Sequence, residues 1–250
     1  SSDLEHWQHR TSSPAREFPM KNVRITGAND RFVIVATSVK DDGNHLTVMT
    51  SENGFDWHDK FETEDSSPNY ESTIVKYLGG GVVGCCVGQI VYSNNLEEWH
   101  LSKFTGKYKD YTAIDITYFN SKFFLLLKKE DSYAIAYTSN TQEYGYYDLE
   151  WGNSKPKSVE NNGSQMVIVC SEGLAERCAV YYTDNGTRND WARIEVRPPY
   201  RSITNSLSEL FSAAWYENQW IFVGRIREWN NSRTMLFSYL ALVYRSDGDL

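Results

Sequence analysis

Two or three carboxylates brought to one place by converging strands can cleave a glycosidic bond. One donates a proton from a raised pKa while another stabilises or attacks the sugar. Three residues are candidates for this work. Asp115 interrupts the apolar stretch Thr112-Ala-Ile-Asp-Ile116, where a buried charge demands a partner. Glu209 stands directly before Leu210-Phe211, and Asp110 lies beside Tyr111. A plainer reading gives such a carboxylate to a wet channel or to the backbone of a neighbouring sheet. Convergence in space separates the two readings.

Candidate binding residues are cationic and aromatic. Arg24 lies on the first strand of its unit and can be placed near a central axis. The polar run 225–233 contains Arg225, Arg227 and Trp229 and reads as a loop insertion. Arginines and aromatics on loops suit a binding hot spot. The basic run 188–201, with Arg193 and Arg197 near Pro198-Pro199, reads as a solvated linker.

Other chemistries are poorly served. His6, His58 and His100 each abut a tryptophan rather than one another, so no metal site is expected. Asp41-Asp42-Gly43-Asn44 lacks the further oxygen ligands of a calcium loop and reads as a hairpin tip. No Lys-Ser/Thr and no helix follow Gly79-Gly80-Gly81, so this is a turn rather than a phosphate cradle. No cofactor is expected. Cys85 and Cys86 are neighbours in an apolar run and face opposite sides of a strand, whereas Cys170 and Cys178 are spaced so that they could either bridge a hairpin or stay reduced.

The elements that must position these residues come from a repeat. A similar phrase closes on tryptophan at Trp7, Trp57 and Trp99, and in stretched form runs from Thr138 to Trp151 and from Thr183 to Trp191. Spacings of about 40 to 50 residues match the period of propeller blades. Each phrase after the first follows an alternating strand such as Leu46-Thr-Val-Met49 or Tyr133-Ala-Ile-Ala-Tyr137, and each strand follows a tight hairpin rich in Asn, Gly and Asp. A four-stranded sheet cannot bury both faces alone, so copies must stack radially. The expected fold is all-β: a five-bladed β-propeller of four-stranded antiparallel blades forming a single domain, 1–250. Its blades fall at about 20–65, 66–107, 108–158, 159–197, and 198–250 together with 1–12. The C-terminal Ser246-Asp-Gly-Asp-Leu250 begins the phrase that Ser2-Asp-Leu-Glu-His-Trp7 ends, so the N-terminal residues are expected to supply the outer strand of the last blade and close the ring.

The phrase Thr50-Ser-Glu-Asn-Gly-Phe-Asp-Trp57 resembles the Asp-box (BNR-type) repeat of sialidase-like propellers, in a degenerate form. Ser93-Asn-Asn-Leu-Glu-Glu-Trp99 is similar to a turn of five-bladed glycosidase propellers. The resemblance implies a fold and carries over no catalytic residue, because in those families this turn lies at the rim.

Composition bounds the rest. The chain has 250 residues, 40% hydrophobic, which suits a domain able to bury a core. A net charge of −8 argues against nucleic acid as a partner, and no apolar run is long enough for a membrane helix, so no membrane insertion is expected. The expected function is a non-catalytic binding or assembly module for a glycan or protein partner, within a larger surface or viral attachment protein. Its setting would be extracellular or virion-associated. The alternative is a glycoside hydrolase or sialidase-like enzyme using Asp110, Asp115 and Glu209 at the axis.

Overall fold

Apolar residues alternating with polar ones, broken by Asn, Asp and Gly at the turns, build a chain of antiparallel hairpins. The computed structural model describes residues 19–64, 66–67, 73–172, 178–196, 207–229 and 235–244, with the backbone alone at 172, 207–208, 225–229 and 235–244. Four sheets of four strands follow one another along the chain. The first holds β1 (Met20–Ala28), β2 (Arg31–Lys40), β3 (Gly43–Ser51) and β4 (His58–Glu62). The second holds β5 (Ile74–Leu78), β6 (Gly81–Cys86), β7 (Gln89–Ser93) and β8 (His100–Lys103). The third holds β9 (Thr112–Phe119), β10 (Lys122–Lys129), β11 (Ser132–Thr138) and β12 (Gly145–Tyr147). The fourth holds β13 (Ser154–Asn161), β14 (Met166–Glu172), β15 (Cys178–Thr183) and β16 (Ala192–Val196). A fifth sheet has three described strands, β17 (Leu207–Tyr216), β18 (Gln219–Trp229) and β19 (Met235–Tyr244). Among the described residues the only helical element is a single 3₁₀ turn at Gly106–Tyr108.

The cores lie between sheets rather than within one, as the repeat requires. Val33, Val35 and Val48 of the first sheet pack on Val82, Val91 and Trp99 of the second. Cys85 and Ile90 then meet Ile116 and Leu125 of the third, and Phe124 and Leu126 meet Met166 and Ile168 of the fourth. Val167 and Val180 finally meet Trp220 and Phe222 of the fifth. Cys85 and Cys86 serve opposite interfaces, and all four cysteines are buried and unbridged. This is a propeller-like, all-β fold. The expected closing strand at residues 1–12 and the phrase fragment at 246–250 lie outside the described residues.

The repeated phrase is a hydrogen-bonded turn. Asn53 Oδ1 accepts the backbone N–H groups of Phe55 and Asp56, Ser51 Oγ accepts that of Gly54, and the Trp57 indole donates to Gly54 O at 3.2 Å. Asn95, Ser93 and Trp99 repeat the arrangement in the second sheet. In the third sheet the structure corrects the expected stretched phrase. Tyr144, at unbroken spacing, occupies the tryptophan position and donates to Thr141 O at 3.3 Å, whereas the Trp151 indole caps Tyr133 O. In the fourth sheet the insertion is real, and Trp191 reaches Gly186 O through the hydroxyl of Tyr147.

The fourth residue of each phrase is left-handed: Gly54 at φ 77, Leu96 at 65, Thr141 at 59 and Gly186 at 74. Alanine at Gly186 would set its Cβ 2.5 Å from Phe124, while at Gly54 the nearest atom, on Phe32, is 3.7 Å away. Gly186→Ala is therefore expected to destabilise by about 2–4 kcal/mol through strain plus overpacking, and Gly54→Ala by about 1 kcal/mol through strain alone. Urea unfolding of the two variants checks the difference.

A second prediction comes from His45, which is 3% exposed. Its Nδ1 faces Thr63 O at 2.8 Å and its Nε2 faces Asp42 Oδ1 at 3.0 Å. Both partners are acceptors, so only the imidazolium satisfies both. The Thr63 carbonyl, assisted by Asp42, raises the pKa against burial and the charge of Lys40. A raised folded pKa gives stability that is complete below the unfolded value, about 6.5, and lost as pH climbs through the folded one. The urea midpoint of the native chain is expected to fall from about pH 6 to 8 relative to that of His45→Gln, and parallel pH profiles would contradict this.

Candidate active site

The first strands of successive sheets, β1, β5, β9, β13 and β17, lie side by side, each against the next. Lys76, Thr117 and Glu160 hold matching positions on β5, β9 and β13, opposite Val83, Phe124 and Val167 of their hairpin partners. Asp115 lies two residues before Thr117 and so on the same face of β9, directly after a register shift in that strand, and both side chains meet β13.

There the chain assembles a cation between two carboxylates. Lys76 Nζ lies 2.7 Å from Asp115 Oδ1 and 3.1 Å from Glu160 Oε1, so residues of three consecutive sheets meet at one ammonium. Asp115 is 5% exposed and fully engaged: Oδ1 also accepts the N–H of Ile116 at 2.8 Å, and Oδ2 accepts that of Val159 at 2.9 Å. The partner demanded by a charge in an apolar strand is thus both a lysine and the next sheet's backbone. Glu160 is more open, with a side chain 32% exposed.

The electrostatics divide the labour. Burial works against the charge on Lys76, but Asp115 and Glu160 outweigh it and hold its pKa above the usual lysine value. Lys76 is a fixed cation rather than a nucleophile. Burial raises the pKa of Glu160, Lys76 opposes this, and the negative charge of Asp115 adds to the rise. A carboxyl beside a second carboxylate, with its acid form favoured, is suited to donating a proton.

The three carboxylates selected from sequence do not converge. Asp115 is in the cluster. Asp110 pairs with Lys129 at 3.1 Å on the surface, each side chain nearly half exposed. Glu209 pairs in register with Arg225 near the start of β17, whereas Glu160 is the penultimate residue of β13. At about 3.3 Å per residue the two stand roughly 15–20 Å apart in level.

Arg24, a ligand-binding candidate from the sequence, is bonded within the fold. Its Nε donates to Thr73 O at 2.8 Å, and Thr73 Oγ1 donates in turn to Ala113 O at 2.8 Å. These bonds tie the first three sheets as Asp115 ties the third to the fourth. Arg225, Arg227 and Trp229 are corrected from a loop insertion: they continue β18 and pair with Tyr239, Phe237 and Met235 of β19. Residues 230–234 lie outside the described residues. Among the described residues no group of His, Cys, Asp and Glu could hold a metal ion.

No protein-family model matches the sequence, and no curated protein is similar to it by sequence. Solved structures do match in fold. A virginiamycin B lyase from Staphylococcus aureus is 11% identical, with 90% of this chain and 71% of that one covered and a TM-score of 0.54. An exo-beta-1,3-galactanase from Phanerochaete chrysosporium is 11% identical over 88% of this chain and 60% of that one, with a TM-score of 0.45. A glycosyl hydrolase from Bacteroides ovatus is 12% identical over 83% and 81%, with a TM-score of 0.44. The non-catalytic binding or assembly module expected from the sequence finds no support in these likenesses, whose chains carry the names of enzymes. At such identities the likeness is one of fold alone, that of an all-β, propeller-like chain.

Proposed function

We propose that this chain hydrolyses a glycosidic bond at the axial cluster, with Glu160 as proton donor to the leaving oxygen. The observation that carries the reading is the pairing of Glu160, whose acid form burial favours, with Asp115 across Lys76. Sharing one ammonium keeps Asp115 Oδ1 and Glu160 Oε1 within about 6 Å of each other, close enough for the charge of one to act on the other. Asp115, buried and held by the backbone of Ile116 and Val159, acts on Glu160 through its field. Lys76 fixes both. The fold of the solved glycosidase propellers is compatible with this reading. Asp110 and Glu209 have no part in the proton transfer.

The test is a panel of chromogenic aryl glycosides of common neutral hexoses and pentoses. Turnover of at least one, lost in Glu160→Gln, supports the reading. Absence of turnover across the panel, or turnover unaffected by the substitution, contradicts it.

The five sheets are further proposed to form a closed ring, with residues 1–12 adding an outer strand beside β19. Ile25 of β1 is 58% exposed, whereas Val75, Ile116 and Val159 at matching positions in the next three sheets are buried. Val23 and Phe32 are likewise exposed, as are Tyr216 and Val223 of the fifth sheet. A propeller hides such residues by setting its last blade against its first.

A further inference from the structure

At the opposite end of the first strands from Glu160 lies a concavity of about 390 Å³. It is formed where the chain enters β9, by the β10–β11 turn, and by the connection into β13. Tyr111, Tyr133, Asp131, Asp148, Lys107 and Ser154 line it. Its volume falls within the range of small-molecule sites, about 300–1,000 Å³.

The walls are held before any ligand arrives. Tyr108 stacks on Tyr146 at 4.3 Å and meets Tyr111 edge-on at 5.4 Å. Asp148 accepts from Lys107 Nζ at 2.7 Å and from the Tyr108 hydroxyl at 3.3 Å. The Trp151 indole is anchored on Tyr133 O, and Gly152 turns the wall with a φ of 56. Asp131, with a side chain 87% exposed, meets Lys155 through Oδ1 at 3.1 Å.

The chemistry of the lining selects a ligand class. Each carboxylate is matched by a lysine, so the site has little net charge and offers no cluster of cations for a phosphate or a carboxylate. It offers carboxylate and hydroxyl oxygens, which accept hydrogen bonds from hydroxyl groups, beside tyrosine rings whose faces pack against C–H bonds. A ligand dense in hydroxyls, uncharged, and with one apolar face fits this set.

We infer that this concavity is a saccharide site for a neutral pyranose unit, separate from the axial cluster and independent of the assignment of Glu160. The experiment is a two-dimensional NMR titration of the isotopically labelled chain with methyl α-mannoside, methyl β-glucoside, cellobiose and lactose, with glucuronic acid as the charged comparison. A neutral probe is expected to shift the amide signals of Tyr111, Ser132 and Tyr133, with a Kd in the millimolar range or tighter. Asp131→Asn is expected to weaken this binding about tenfold. Asp131 is exposed, so the variant keeps its fold, which its spectrum checks. Glu160→Gln is expected to leave the binding unchanged, which separates this site from the axial one. No shift at these residues with any neutral probe, tighter binding of glucuronic acid, or equal binding by Asp131→Asn would overturn the inference.

Discussion

Replacing Asp115 with alanine is expected to destabilise the fold by about 3–5 kcal/mol, the largest stability effect of any single substitution considered. The loss has two sources. The N–H groups of Ile116 and Val159 lose their acceptor in a buried setting, at about 1–3 kcal/mol for each group left unsatisfied. Lys76 meanwhile keeps a largely desolvated charge with only Glu160 to balance it. Converting Lys76 to methionine in the same chain removes the second source and leaves the first. The double variant Asp115→Ala with Lys76→Met is therefore expected to recover part of the stability lost in Asp115→Ala. Urea unfolding of the native chain, the two single variants and the double variant measures the coupling. A loss below about 1 kcal/mol for Asp115→Ala would show that the link between β9 and β13 contributes little.

The largest expected effect on turnover belongs to Glu160→Gln. Amide and carboxyl have nearly the same shape, so Lys76 keeps an oxygen partner, but the amide cannot donate the catalytic proton. A fall in kcat of about 10²–10⁴-fold is expected, the usual contribution of a positioned general acid. Stability should change far less than in Asp115→Ala, because the Glu160 side chain is about one-third exposed and receives none of the backbone hydrogen bonds that hold Asp115. Aryl glycosides with good leaving groups need less protonation, so the deficit should shrink as leaving-group acidity rises. A uniform deficit across leaving groups would assign Glu160 to binding rather than to proton transfer.

Much of this architecture is written in the sequence because it follows from local chemistry. Asn, Gly and Asp at hairpin tips, alternation along strands and a recurring Ser/Thr-x-Asn turn give five hairpin units without tertiary information. Asp115 stands out for the same reason, a charge in an apolar strand. Lys76 and Glu160 do not, since each lies within a segment of mixed polarity, Val75-Lys-Tyr-Leu and Val159-Glu-Asn-Asn. What unites them is their register, Lys76 opposite Val83 and Glu160 opposite Val167, and aligning the hairpins rather than the tryptophans would have placed both on one level. The emphasis on tryptophan also hid Tyr144, which fills the indole position with a phenol hydrogen-bonded to the same carbonyl position. The run from Arg225 to Trp229 was misleading because its charges suggest a loop, while its alternation, with Ile226 between two arginines, is that of the strand it forms. Asp110 and Glu209 are carboxylates like Asp115, but one precedes β9 and the other stands near the start of β17, a distinction that composition cannot express.

The pH dependence of kcat/KM for the best aryl glycoside, measured on the native chain and on Glu160→Gln, tests the proposed chemistry most directly. With Glu160 as proton donor, the native profile should fall on its alkaline side through a pKa above the ordinary glutamate value, in keeping with burial and the nearby Asp115 charge. That limb should vanish in Glu160→Gln. Profiles of the same shape in both proteins would contradict the assignment of the proton to Glu160, and with it the axial cluster as the seat of catalysis.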